Sequence, residues 1–260
     1  MDNQNQRPHL SVSQISKYLS CGIQYYYRYI LKVPPQRAPT EYMLHGSSVD
    51  HSANEHFGDI KVNQTTGLDN TAFVEQAVEY HDTNVDDHEL MNHTKDASRD
   101  QVWRMSNVYH QTHAQAFKPK EVQYKFQVEY SDTTDFIGYA DLITADGKII
   151  DNKISKRVTL NEGNAQNSLS NNLQLVKYAD MYGSDEVGLA IVSNTKEPRA
   201  YYFQASVSPK DKERLNNVIK RVYEGITKEV FTPPPEGSWW CSAKWCDYWN
   251  ICEFGGKRYH

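Results

Sequence analysis

The residues best suited to chemistry lie in one short stretch, Gly138-Tyr139-Ala140-Asp141-Leu142-Ile143-Thr144-Ala145-Asp146-Gly147-Lys148-Ile149-Ile150-Asp151-Asn152-Lys153. Two apolar runs each carry an acid where an apolar residue is expected: Asp141 after Ala140, and Asp151 after Ile149 and Ile150. A three-residue loop at 145–147, a type I turn closed by a left-handed glycine, pairs Thr144 with Lys148 and sets Asp141 opposite Asp151. Side chains alternate along a strand, so Lys153 shares the face of Asp151. A two-residue Asp-Gly turn would slip the register by one and send the two acids to opposite faces. Carboxylates opposed in a strand pair repel each other unless something positive lies between them. A divalent cation meets that need: Mg²⁺ takes oxygen ligands, keeps several waters and bridges to phosphate. It lowers the pKa of a bound water and stabilises charge developing at phosphorus. Lys153 is then placed to orient or deprotonate the attacking water, or to neutralise the phosphate. The plainer alternative is two edge-of-sheet acids facing solvent.

The surrounding pattern supplies elements to hold such a hairpin. Residues 122–130 alternate apolar and polar, as a half-buried strand does, and 136–143 and 148–154 continue as two more strands. Helical spacing is expected from 13 to the Pro34–Pro35 pair, with Ser11 or Ser13 as cap and Cys21 near the middle. A second helix begins near Gly46, and 100–117 and 168–182 also read as helix. Residues 58–100 are polar, and irregular structure with short helices is expected there. Residues 186–193 and 199–207 form a second strand pair, and Ser208–Pro209 opens a long helix. The fold class is α/β (mixed α+β): a small mixed sheet flanked by helices, in one domain over 1–260. No internal repeat is visible.

At this point the hairpin resembles the PD-(D/E)xK nuclease superfamily, in particular its RecB-like branch, with Gly-x-x-Asp on one strand (Gly138 to Asp141) and Asp-x-Lys on the next (Asp151 to Lys153). The resemblance implies a restriction-endonuclease-like core at 120–207. It makes Asp141, Asp151 and Lys153 catalytic, and assigns Mg²⁺ or Mn²⁺ to Asp141, Asp151 and the backbone carbonyl of Asn152. Gln174-Leu175-Val176-Lys177-Tyr178 looks like the branch's Gln-x-x-x-Tyr helix, with Gln174 and Tyr178 near DNA. Gly46-Ser47-Ser48-Val49-Asp50-His51 through Glu55 looks like its Gly-x-x-Val-His-x-x-x-Glu helix. Here the histidine comes one residue late. His51 is the preferred third metal ligand, since it keeps the spacing to Glu55, and Asp50 is the alternative.

Four cysteines, Cys21, Cys241, Cys246 and Cys252, are divided between the first helix and a tail beyond Pro233–Pro235. The segment around Leu10, Tyr18 and Cys21 resembles the first helix of iron–sulfur members of the same branch, so a 4Fe–4S cluster joining 10–34 to 236–254 is expected. Zinc is the rival occupant, with Trp239, Trp240, Trp245 and Trp249 packed around.

A net charge of −5 neither requires nor excludes nucleic acid, because a tracking surface is a local basic patch. Lys118, Lys120 and Lys125 form one loose group; Lys153, Lys156 and Arg157 lie nearer the proposed chemistry. No apolar run is long enough for a membrane span and no signal core is visible, so a cytoplasmic protein is expected. The resemblance implies DNA as substrate, in end processing, recombination or repair, as in phage and CRISPR systems, with a recombination partner protein or homo-oligomer as the assembly. An exonuclease is the first expectation. A sequence-specific endonuclease, or a non-hydrolytic DNA-binding or assembly protein on a retained nuclease scaffold, is the alternative.

Overall fold

The computed structural model describes residues 7–256. A short strand β1 (His9–Leu10) precedes α1 (Val12–Ser20) and α2 (Gly22–Tyr25), which runs into a π-helical turn at Tyr26–Ile30. Three helices follow, α3 (Glu41–Asn63), α4 (Asn70–Asn84) and α5 (Lys95–Tyr109). Then come strands β2 (Pro119–Ser131), β3 (Thr134–Thr144) and β4 (Ile149–Ser155), helices α6 (Glu162–Ser170) and α7 (Leu173–Tyr182), strands β5 (Glu186–Ser193) and β6 (Ala200–Ser206), and α8 (Pro209–Thr227). The strand order is β1-β3-β4-β5-β6, with β2 also paired to β3. The β4–β5 pair is parallel, while β3–β4 and β5–β6 are antiparallel. This is the mixed sheet flanked by helices that the sequence implies.

By its internal contacts the chain groups into two compact units. Of the described residues, 7–38, 127–137 and 213–256 form a terminal unit; 39–126 and 138–212 form a sheet unit.

In the sheet unit, β5 is buried from Val187 to Ser193, as expected of a strand covered on both faces. On one face Val49, Ala53, Phe57, Phe73, Val102 and Met105 of the three-helix layer enclose Leu142, Ile150, Ala190 and Val192. On α7, Leu175, Val176 and Ala179 are buried, and Gln174 at its start bonds to β4. The polar stretch 58–100 is mostly regular helix, contrary to expectation. Asp69 caps α4 by accepting from the Ala72 N–H at 2.9 Å, and Phe73, Val74, Ala77, Val78 and His81 are buried at helical spacing. A few apolar residues at the right period outweigh a polar composition, since each such burial contributes roughly 1.5–3 kcal/mol for a large side chain.

In the terminal unit the first helix breaks at Cys21 instead of running through it. Cys21 has extended backbone and ends α1, and its Sγ accepts from the Gln24 N–H at 3.4 Å to start α2. Gly22 is needed there: a Cβ would meet the backbone N of Thr232 at 2.7 Å. Ser11 is the cap of α1, accepting from the Gln14 N–H. The tryptophans of the tail are only partly enclosed. Trp239 is 65 % and Trp245 42 % exposed, and the two rings meet edge-on. Among the described residues no helix is long and apolar enough to cross a membrane.

Candidate active site

The hairpin adopts the register that a three-residue loop requires. Leu142 lies opposite Ile150 and Ile143 opposite Ile149. The Thr144 N–H donates to the Lys148 carbonyl at 3.0 Å, and Gly147 sits at φ +83°. The same count sets Asp141 against Asp151, and the Asn152 N–H donates to Asp141 Oδ2 at 2.8 Å. Asp151 is buried, whereas Lys153 is half exposed, its Nζ lying 3.0 and 3.2 Å from the two oxygens of Asp151.

Helix α3 brings Asp50, not His51, into the cleft. Asp50, Asp141, Asp151, Asn152, Lys153 and Gln174 line one cavity of about 480 Å³, whereas the His51 ring stacks on Tyr80 at 4.9 Å. One residue turns a helix by about 100°, so a one-place offset changes the face presented. Glu55 is exposed, and Asn54 takes its place: Asn54 Nδ2 donates to Asp50 Oδ2 at 3.1 Å. The pair at four-residue spacing is therefore Asp50 and Asn54, counted from Gly46 and Val49. From α5, the fully buried Tyr109 donates to Asn152 Oδ1 at 2.8 Å.

Burial and neighbouring charge raise the proton affinity of the acids in this cleft. Burial first, then the charges of Asp151 and Asp50, push Asp141 up to about 8, against the opposing pull of the Asn152 N–H and Lys153. Burial also raises Asp50 and Asp151, with Lys153 acting the other way on both. Burial pulls Lys153 down, but the three carboxylates outweigh it and hold its ammonium above the usual lysine range. Asp50 Oδ1 is buried without a hydrogen-bond partner.

Helix α7 supplies the remaining contacts. Asn172 caps it, its side-chain oxygen accepting from the N–H groups of Gln174 and Leu175, each at 3.0 Å. This fixes the first turn, from which Gln174 Nε2 donates to Asp151 Oδ1 at 2.7 Å. Tyr178, expected near DNA, is 6 % exposed. Its hydroxyl accepts from the Tyr139 N–H at 3.3 Å, and its ring stacks on Phe126. Gly138 makes room for that ring, since a Cβ there would lie 2.5 Å from Tyr178 Cε1.

A second buried polar cluster in this unit has no sequence motif. Asn194 Nδ2 lies 2.9 Å from His45 Nδ1, His45 Nε2 2.8 Å from Ser98 Oγ, and Ser98 Oγ 2.9 Å from His81 Nε2. His81 Nδ1 then meets Asp82 at 2.9 Å, and Asp82 is bound by Arg99. The serine–histidine–aspartate sequence resembles a nucleophile relay, but Ser98 is fully buried and no substrate can reach it. A larger groove, about 860 Å³ along α4 and α5, borders this cluster; its Asp82 is already neutralised by Arg99.

In the terminal unit all four cysteines are free thiols. Cys246 is pushed up to about 11 by burial first, then by Cys21, Cys241 and Cys252, which lie within electrostatic reach of it. Among the described residues no group of three or more His, Cys, Asp or Glu is arranged to enclose a metal ion. In the cleft, Asp141 Oδ2 and Asp151 Oδ1 are engaged by protein donors.

No curated protein matches the chain. Among solved structures it is similar to the "Putative exonuclease" of Eubacterium rectale, with 14 % identity, TM-score 0.55 and coverage of 93 % of this chain and 92 % of that one. It also aligns with a protein named SSO0001 at 13 % identity, covering 96 % and 89 % of the two chains, with a TM-score of 0.45. The first likeness concerns the fold. The family model described as PD-(D/E)XK nuclease superfamily matches residues 9–253, a span that includes the whole carboxylate cleft. The chain therefore belongs to the PD-(D/E)XK nuclease superfamily.

Proposed function

We propose that this nuclease is a metal-dependent deoxyribonuclease that removes nucleotides from DNA ends in the cytoplasm, in recombination or repair. The supporting observation is the meeting of Asp50, Asp141 and Asp151 with Lys153 in one cleft, where burial and mutual repulsion lift Asp141 to about 8. The donor set suits a hard divalent cation: carboxylate oxygens, one of them the unpartnered Asp50 Oδ1, and no thiol. Asp50, Asp141 and Asp151, with the Asn152 carbonyl, would hold Mg²⁺ or Mn²⁺, which when bound supplies an acidified water and charge neutralisation at phosphate. Lys153, held as an ammonium beside Asp151, would orient the attacking water or neutralise charge at the phosphate. Gln174 would orient Asp151 through the bond it already makes, and Tyr178 would hold the start of the Asp141 strand segment.

Labelled linear and circular DNA, incubated with Mn²⁺ or with EDTA, tests the reading. Mn²⁺-dependent loss of linear DNA alone supports an exonuclease. Cutting of the circle replaces it with an endonuclease, and binding without cleavage replaces it with a non-hydrolytic scaffold. For the terminal unit we propose a 4Fe–4S cluster on Cys21, Cys241, Cys246 and Cys252, four free thiols that fall in one compact unit. Iron and zinc analysis of anaerobically purified protein decides between cluster, zinc and free thiols.

A further inference from the structure

Strand β4 leaves the carboxylate cleft and enters a second groove. Lys153 and Ile154 line the cleft; Lys156 and Arg157, just past the strand's end, line a groove of about 540 Å³ together with Lys196, Glu197, Arg199 and Tyr201. Its four cations are all exposed and meet one acid. Among the described residues none of the four is held in an ion pair. The loop after β5 that carries Lys196 and Arg199 is fixed from within: Thr195 Oγ1 donates to the Glu197 carbonyl and the Arg199 N–H to Ser193 Oγ, each at 2.8 Å. It is also tied to the end of β4, since the Asn194 N–H donates to the Ser155 carbonyl at 2.9 Å. Lys156 and the 196–199 loop therefore form one braced basic surface.

Clustered like charges oppose folding, and the same field attracts a polyanion. The groove also has aromatic faces: Tyr201 in its wall, and Tyr42, a cleft residue whose ring carries the Lys156 ammonium at 5.8 Å. Clustered cations beside partly exposed rings are how single-stranded nucleic acid is held, by backbone charge and base stacking. The volume falls within the roughly 300–1,000 Å³ of sites that take one small ligand, which suits one or two nucleotides of a strand and not a duplex. Lys153 and Lys156 are at most about 10 Å apart along extended chain, so the groove opens directly beside the cleft.

We infer that the Lys156–Arg157–Lys196–Arg199 groove binds the backbone of a single DNA strand and guides it past the carboxylate cleft. The role as a substrate path rests on the proposed nuclease reading; the binding itself does not.

The test uses the full chain carrying Lys196→Glu and Arg199→Glu, two exposed positions outside the cleft. Binding of a fluorescent oligo-dT and of a duplex of equal length is measured by anisotropy in EDTA over a salt series. Hydrolysis of bis(p-nitrophenyl) phosphate is measured with Mn²⁺. Affinity of wild type for the single strand should fall with salt, and the double variant should bind at least tenfold more weakly, with a salt slope shallower by about 1.4, or 0.7 per lost contact. Hydrolysis of the small diester should be unchanged. Tyr201→Ala should weaken single-strand binding several-fold while Tyr201→Phe does not. Unchanged oligo-dT affinity and slope in the charge variant overturns the groove. A larger loss for duplex than for single strand overturns the choice of occupant. A wild type that binds oligo-dT through these residues but leaves the small diester intact keeps the groove and removes the nuclease reading instead.

Discussion

The sheet unit contains two buried polar clusters that behave in opposite ways. In the His45–Ser98–His81 cluster every ring nitrogen has a partner, and the one acid at its end is met by Arg99. In the Asp50–Asp141–Asp151 cluster three acids face one lysine, and one buried carboxylate oxygen has no hydrogen-bond partner. A satisfied network fixes a core. An unbalanced one is costly to the fold and marks a place where a ligand's charge completes the arrangement. The histidine cluster looks catalytic by residue type, and the acids look like a defect by packing logic. Partner accounting, not residue identity, separates them.

The largest effect should come from removing an acid. Asp141→Asn should lower DNA hydrolysis on the order of 10³-fold, the scale of losing several kcal/mol of charge stabilisation. The same change should stabilise the protein in EDTA. Asp141 has its proton affinity raised from 3.8 to about 8, so the folded state holds a proton that the unfolded chain releases. Stability from that group is complete below about pH 4 and is lost as pH rises through about 8. Melting in EDTA should show that decline for wild type and a flatter profile for the variant. A variant that melts lower than wild type at pH 8, or cleaves at wild-type rate, removes the cluster from the site.

The histidine cluster should respond the other way. Ser98→Ala leaves His45 Nε2 and His81 Nε2 each without a partner, so a loss of about 1–3 kcal/mol is expected, with cleavage unaffected. His45 is lowered from 6.5 to about 4, by burial first and then by His81 and His93. Its stability contribution is present above about pH 6.5 and is lost as pH falls through about 4. Denaturant midpoints from pH 7 to pH 4 measure it. A Ser98→Ala protein that is fully stable but inactive would reverse the assignment of the two clusters.

Gln174→Ala tests whether the acids are held by a second layer of contacts. Outer partners of metal ligands are commonly worth 10–100-fold in affinity, and Gln174 bonds Asp151 directly. A loss of about tenfold in Mn²⁺ affinity by calorimetry is expected. Unchanged Mn²⁺ binding together with weakened DNA binding would instead return Gln174 to direct DNA contact.

How much of this was legible follows from distance along the chain. Asp141 and Asp151 interrupt two apolar runs across one short loop, and Gly147 decides the register, so the pair is visible locally. Asp50 is remote from that hairpin and its motif is off by one; spacing to Glu55 favoured His51, and only the helix's facing shows that Asp50 and Asn54 are the pair. Helix α4 was obscured because a polar average hides a periodic minority such as Phe73 and Ala77. The histidine cluster draws on residues 45, 81, 98 and 194, and no local pattern joins those.

The smallest expected effect concerns how β3 is held beside the acids. Tyr178 touches it twice: its hydroxyl accepts the Tyr139 N–H at 3.3 Å, and its ring occupies the space that the missing side chain of Gly138 leaves. The hydrogen bond is long, so Tyr178→Phe should cost about 0.5–1.5 kcal/mol, keep the stack on Phe126, and leave DNA affinity unchanged. The ring contact is the larger constraint. Gly138→Ala should destabilise more than Tyr178→Phe, because the new carbon would lie 2.5 Å from the ring, and Tyr178→Leu in the same chain should relieve part of that cost. A double-variant cycle on thermal melts measures the coupling. If Tyr178→Phe weakens DNA binding without lowering the melting temperature, the tyrosine reaches the strand. If Gly138→Ala is no less stable with Tyr178 than with Leu at that position, the glycine is there for some reason other than the ring.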